Sequence, residues 1–287
     1  MNYRHLYHAG NFADVFKHAL LVRLIRGMQR KERGFLFLDT HAGRGGYDLE
    51  TTTTLPDGRE RAPEWPEGIG RVWTATDGPL GDYVALVREF NRERGGDDTA
   101  PRFYPGSPRL AGRLARPADR LALCELQSDE AEALAIELGS RSRSSVHAMD
   151  GYEAVRAMLP PPEKRALVLI DPPFESATEA ADIRRALGDA LRRFPSGLFA
   201  VWYPITGRAR SERFLPDERG LALPPTLRAE LRVGGEATEV RMKGCGLLVL
   251  NPPWRIEGEI NAVLAALAGR LGLPAASARV DWLVPET

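Results

Sequence analysis

The chain has little cysteine, little lysine and no net charge. Its 287 residues hold two cysteines, Cys124 and Cys245. Each lies inside an apolar run, LALCEL and GCGLLVL, so both are expected as buried, reduced thiols. There is no Cys-x-x-Cys pair and no disulfide framework. No apolar run approaches the roughly 18 residues of a membrane-spanning helix. The opening MNYRHLYHAGNFADVFKHALL lacks the apolar stretch of a secretory signal. A cytoplasmic protein with no membrane contact is the expectation. No His/Cys/carboxylate set has metal-ligand spacing, so no metal is expected. Lys+Arg and Asp+Glu both number 39, which excludes a highly charged disordered chain.

The charge that is present is uneven. Only four of the basic residues are lysine (Lys17, Lys31, Lys164, Lys243) and the rest are arginine. Residues 1–34 carry seven basic side chains against Asp14 and Glu32. Arg109, Arg113, Arg116 and Arg120 form a second cluster, followed by Arg141 and Arg143. Such patches on a neutral chain suit a phosphate-bearing partner, or else are solvated helix faces.

Short apolar, β-rich runs alternate with helical periodicity. Asn11 is an N-cap signal, and Phe16, Leu20, Leu21, Leu24, Ile25 and Met28 recur at helical spacing, predicting a helix over 12–30. Strands are expected at 35–40, 121–126, 145–150, 166–171 and 198–204. Helices are expected at 128–138 (capped by Ser128), 152–159 and 178–194. This βα alternation is a doubly wound parallel sheet. Runs at 227–233 and 244–252 lack a full helix between them and suggest an antiparallel hairpin at one sheet edge, before a last helix and VDWLV at 280–284. Residues 50–107 break the pattern: Pro/Gly-rich loops flank one helix at 81–94. The expected division is a core of 1–49 and 108–287, with 1–31 as N-terminal tail and helix, and a small, mainly helical insertion at 50–107.

Ligands of such sheets bind beyond the carboxyl ends of the strands. Four successive strands end there in Asp39, Glu125, Asp150 and Asp171. The turn Asp39-Thr40-His41-Ala42-Gly43-Arg44-Gly45-Gly46 is not a GxGxxG fingerprint, yet its glycines allow close backbone approach. With an acid at the end of the second strand it suits an adenosine, whose ribose hydroxyls donate to a carboxylate.

The sharper signal is Asp171-Pro172-Pro173-Phe174 after the apolar run ALVLI. The exocyclic N6 of adenine is a poor nucleophile because its lone pair is delocalised into the ring. Two acceptors on its N–H bonds, the Asp171 carboxylate and the Pro172 carbonyl, draw it toward a tetrahedral amine. The prolines stiffen the loop, and Phe174 offers a face for stacking an extruded base. Asn251-Pro252-Pro253-Trp254 matches the same pattern. Strand counting gives the catalytic place to Asp171 and leaves Asn251, after a late edge strand, as a structural turn.

The opening YRHLYHAGNFADVFKH, the turn LDTHAGRGGYDL, Asp171-Pro172-Pro173-Phe174-Glu175 and Asn251-Pro252-Pro253-Trp254 together closely resemble the RlmJ family along nearly the whole chain. The resemblance implies a class I S-adenosylmethionine-dependent methyltransferase fold with a small helical insertion, and methylation of N6 of one adenine in 23S rRNA, naked or in an early assembly intermediate. It implies cofactor contacts at His18, His41, Ser107, Glu125, Asp150, Gly151 and Asp171, and a catalytic loop of Asp171, Pro172 and Phe174. Tyr3, His5 and Lys17 fall on the RNA side, and no obligate protein partner is implied. The alternatives are a DNA N6-adenine methyltransferase, for which 50–107 is short as a target-recognition domain, and a non-catalytic nucleic-acid-binding protein on the same fold.

Overall fold

The computed structural model describes residues 5–51, 53–54, 60–139, 143–206, 222–234, 242–271 and 276–286, the side chains of 5, 6, 53, 54, 60 and 61 excepted. Tyr3, in the expected RNA-facing tail, lies outside them. So does Arg141 of the second basic cluster.

A short helix α1 (His5–His8) precedes α2 (Phe12–Gln29). Asn11 caps α2, its side chain accepting from the amides of Ala13 and Asp14 at 3.0 Å each. Strand β1 (Leu36–Asp39) leads to β2 (Gly46–Asp48), β3 (Thr53–Thr54) and β4 (Glu60–Arg61). Next come α3 (Ile69–Val72), α4 (Gly78–Glu93), β5 (Phe103–Pro105) and α5 (Ser107–Leu114). The regular alternation is β6 (Arg120–Glu125), α6 (Ser128–Leu138), β7 (Ser144–Ala148), α7 (Gly151–Met158), β8 (Ala166–Ile170), α8 (Glu179–Arg193) and β9 (Leu198–Ile205). The chain closes with β10 (Thr226–Arg232), β11 (Gly244–Leu250), α9 (Ile256–Leu271) and β12 (Ser277–Val284).

The main sheet has eight strands in the order β12-β10-β11-β9-β8-β1-β6-β7. β7, β6, β1, β8 and β9 are parallel, whereas β11, β10 and β12 join antiparallel. This mixed Rossmann-like sheet is the class I methyltransferase fold. From β1 the chain goes to β6 and β7 on one side and then crosses to β8 on the other. The crevice therefore opens beyond the carboxyl ends of β1 and β8.

The period-two alternation of β1 splits the core. Phe35 and Phe37 face the layer of α2, α4, α5, α6 and α9, while Leu36 and Leu38 face α7 and α8. Helix α2 is buried almost all round, and its buried residues include the polar Asp14, Lys17, His18 and Arg23. Ile69, Val72, Tyr83, Val84 and Val87 from 50–107 belong to the same core as α2.

Several sequence expectations need correction. β11 lies inside the sheet and β12 forms the edge, because 277–284 adds outside β10. The stretch 95–108 is not all loop: Phe103–Pro105 pairs antiparallel with Gly46–Asp48, a ladder too short to show periodicity. Ser128 is the first residue of α6 rather than its cap, and Gln127 holds the cap position. Helix α4 begins at Gly78 rather than 81, since Pro79 fits a first turn. Cys124 and Cys245 are buried and free. Among the described residues no helix is long and apolar enough to cross a membrane.

The basic clusters also read differently in three dimensions. Arg23 and Arg26 of α2 both reach Asp82 of α4, at 2.8 and 2.6 Å, and Arg30 pairs with Glu259 of α9. Arg109 meets Glu93 and Glu137, Arg113 meets Glu89 and Glu93, Arg116 meets Asp119, and Arg120 meets Glu163. All seven of these arginines are paired with acids, most of them remote in sequence, so none of the seven is a free phosphate-binding cation.

Candidate active site

The four strand-end acids converge on one edge, each held differently. Asp39 ends β1 fully buried, accepting the Ser107 hydroxyl at 2.6 Å and the His41 amide at 3.3 Å. Burial pushes its carboxyl up to about 7, with the Asp171 charge adding to the rise and Ser107 and Lys17 opposing it. Glu125 ends β6 and accepts the amides of Gly43 and Gln127 at 2.9 Å each. Asp150 caps α7 through the amides of Tyr152 (2.7 Å) and Glu153 (3.3 Å). Its neighbour Gly151 admits no side chain, since a Cβ there would lie 2.1 Å from the Thr40 carbonyl oxygen.

Asp171 follows β8 directly, and its Oδ2 accepts the Lys17 ammonium at 2.5 Å. Lys17 is 5% exposed and also reaches Asp14 Oδ1 at 2.9 Å. Burial alone would lower the lysine, but the charges of Asp14 and Asp171 outweigh it and hold the ammonium well above its ordinary value. Placed on the RNA side by resemblance, Lys17 here has its charge engaged by two carboxylates. Its neighbour His18 is buried, with Nδ1 2.8 Å from the Tyr104 hydroxyl, which in turn lies 2.8 Å from that of Tyr83.

The turn after β1 is tight because Gly43 and Gly45 take left-handed φ values of 59° and 82°. His41 Nδ1 lies 2.8 Å from the Thr40 hydroxyl, and its ring meets Tyr152 edge-on at 5.4 Å. Burial drives His41 down to about 4, against the pull of Asp171 and Asp150, so it is neutral near pH 7. Phe174 also has a left-handed φ of 52°, and its ring meets Trp202 of β9 edge-on at 5.6 Å.

The structure thus brings His41, Ser107, Glu125, Asp150, Gly151 and Asp171 to one edge. His18 and Lys17 sit beside it on α2. His5 is placed in α1 by its backbone only. Sequence reasoning missed Asp14, Tyr152 and Trp202. Ser107 was reached through resemblance alone; Ser107-Pro108 at the start of α5 was the local signal, since proline favours a first helical turn.

Asn251 lies at the opposite edge. β11 runs antiparallel, so its end at Leu250 meets Phe199 at the start of β9. The Asn251 amide donates to the carbonyls of Pro195 and Gly197 at 2.8 Å each. Pro253 packs on α2, where a Cβ on Gly27 would lie 2.8 Å from its ring. This second motif fastens the far end of the helix whose first turns carry Lys17. Among the described residues no cluster of His, Cys, Asp and Glu could hold a metal ion.

The family model for ribosomal RNA large subunit methyltransferase D, RlmJ, matches residues 32–284. Over 290 aligned residues the chain is 38% identical to ribosomal RNA large subunit methyltransferase J of Escherichia coli (strain K12), with all of both chains covered. It is 35% identical to the protein of the same name from Haemophilus influenzae, again over the whole of both chains. A crystal structure of a Legionella pneumophila protein superposes with a TM-score of 0.84 at 35% identity, covering 96% of this chain and 98% of that one.

Proposed function

The chain belongs to the ribosomal RNA large subunit methyltransferase J (RlmJ) family and is an rRNA methyltransferase; from that premise we propose that it methylates N6 of an adenine in 23S rRNA, using S-adenosylmethionine. The observation that carries the reading is Asp171. It stands at the switch point of the sheet, with one oxygen held by Lys17 and a Pro-Pro-Phe loop directly behind it.

The carboxyl edge fits the cofactor. Glu125, fixed by two backbone amides, offers its carboxylate to ribose hydroxyls. Asp150, with only Oδ1 used in capping α7, keeps Oδ2 for an adenine amine. The left-handed glycines at 43 and 45 let the backbone approach a ligand closely. His41, neutral, and Ser107 complete the wall, with His18 behind. When bound, S-adenosylmethionine supplies an electrophilic methyl on a sulfonium centre.

The protein's own contribution is to aim and activate the amine. With Oδ2 held by Lys17, Asp171 Oδ1 and the Pro172 carbonyl accept the two N6–H bonds. That grip withdraws the N6 lone pair from the ring and points it along the transfer line. Were the bound cofactor to give up its methyl group to N6, the N6 proton facing Asp171 would leave toward solvent by way of that carboxylate. Phe174, steadied by Trp202, stacks on the base. We assign Tyr3, outside the described residues, and His5, the first residue of α1, to the RNA side. We take 1–49 with 108–287 as the catalytic core and 50–107 as an insertion that holds the N-terminal turn.

The test is tritiated methyl transfer to naked 23S rRNA and to duplex DNA side by side, followed by nucleoside digestion. Label in N6-methyladenosine from the RNA alone is expected. Equal labelling of the DNA would overturn the choice of substrate. Cofactor binding without turnover on either would overturn catalysis.

A further inference from the structure

We propose that Asp14 is a positioning residue: one buried carboxylate fastens the N-terminal turn with one oxygen and aims Lys17 at Asp171 with the other. The proposal rests on the reading of Asp171 as the catalytic carboxylate.

The geometry is a continuous chain of polar contacts. Asp14 is 3% exposed; its Oδ2 accepts the Gly10 amide at 3.1 Å and its Oδ1 accepts Lys17 at 2.9 Å. Gly10 holds the turn between α1 and α2 with a left-handed φ of 73°. The insertion grips that turn from outside. Glu64 Oε2 lies 2.8 Å from His8 Nδ1 and accepts the Asn11 side-chain amide at 2.8 Å, while the Ile69 amide donates to the Gly10 carbonyl at 2.8 Å. The segment that approaches the substrate side is therefore tied, through Asp14 and Lys17, to the carboxylate that grips the reacting amine.

The charge arrangement gives Asp14 a second job. Lys17 is buried, and a buried ammonium without partners sheds its proton. The groups around it are Asp14 on its own helix, Asp171 beyond β8, Asp39 of β1, Tyr83 of α4 and Cys245 of β11. Of these, the charge of Asp14 is the largest single influence keeping Lys17 protonated, followed by the charge and the hydrogen bond of Asp171. A charged Lys17 in turn fixes Oδ2 of Asp171 and leaves Oδ1 free to grip the amine. A neutral Lys17 no longer restrains that carboxylate by charge.

The test is Asp14→Asn, which keeps the shape and one acceptor for the Gly10 amide but removes the charge. Because the chain has only four lysines, lysine labelled with ¹³C at Cε gives a spectrum simple enough to assign. In the unaltered protein Lys17 should stay charged well above the ordinary lysine range as pH rises. In the variant its midpoint should fall by about one pH unit or more, the effect of losing a close opposite charge. Turnover on 23S rRNA should then gain an alkaline limb that the unaltered protein lacks, with little change in cofactor affinity. Asp14→Ser, carried through the same two measurements, covers failure of the asparagine variant to fold. A Lys17 midpoint that does not move, or a turnover loss equal at every pH, would overturn the coupling. The titration needs no substrate, so it separates failure of this coupling from failure of the functional reading, which absent methyl transfer by the unaltered protein would signal.

Discussion

Replacing Asp39 by asparagine should change the pH dependence of stability in a way that exposes His41. The Asp39 carboxyl is pushed up to about 7 by burial, roughly three pH units above an ordinary aspartate. The folded state holds its proton more tightly than the unfolded chain, so stability falls as pH climbs from about 4 to about 7. At about 1.4 kcal/mol per unit this is about 4 kcal/mol. His41 acts in the other sense. Burial drives it down to about 4 from an ordinary value near 6.5, so its contribution is lost as pH falls through that window. The same arithmetic gives at most about 3 kcal/mol, and less once solvent screening at its half-buried ring is counted. Between about pH 4 and 6.5 the two slopes oppose each other and largely cancel. Asp39→Asn removes one of them. Relative to the unaltered protein, the variant should be similar near pH 4 and more stable by about 2–4 kcal/mol at pH 8, the Ser107 hydroxyl being able to bond an amide as well as a carboxyl. Urea unfolding at intervals from pH 4 to 8, without cofactor, measures the difference curve. A difference independent of pH, or a variant less stable at pH 8, would refute the reasoning.

Asp171→Ala should lower methyl transfer by ~10²–10³-fold in a chain that still folds cooperatively, with some loss of stability because buried Lys17 keeps only Asp14 as its close partner; a variant keeping more than about a tenth of turnover would remove Asp171 from the catalytic place. Asn251→Ala should keep near-normal turnover but lose about 1–3 kcal/mol in urea unfolding, because the Pro195 and Gly197 carbonyls lose their donor; a stable but inactive variant would reverse the assignment of the two motifs. Gly246→Ala would put a Cβ 2.2 Å from the Tyr203 ring, whose hydroxyl is tied to Glu230 at 2.8 Å, so a loss of about 1–3 kcal/mol is expected. Unchanged unfolding there would show that the ring can withdraw.

The site's acids were legible because the strand-end rule needs only element order. Glu125, Asp150 and Asp171 follow apolar runs whose type and sequence are plain, and the sheet places their ends together. What could not be read were pairings between distant residues. Lys17 lies 154 positions from Asp171, and nothing in the local pattern around FADVFKH signals that its ammonium faces inward. The arginines of α2 looked like a basic face because Asp82 and Glu259 come from other helices. The antiparallel edge was seen as a hairpin but its order was not, since alternation along 277–284 does not say which neighbour it joins. The ladder of Gly46–Asp48 with Phe103–Pro105 was invisible for a simpler reason: three residues per strand carry no period.

The most direct test of adenine-N6 methylation is mass-spectrometric mapping of modified adenines in 23S rRNA from cells with and without the gene. The account predicts one N6-methyladenosine that is present with the gene, absent without it, and restored by the unaltered protein but not by Asp171→Ala. An identical set of modified adenines in both cells, or a lost methyl group on another atom or base, would contradict it.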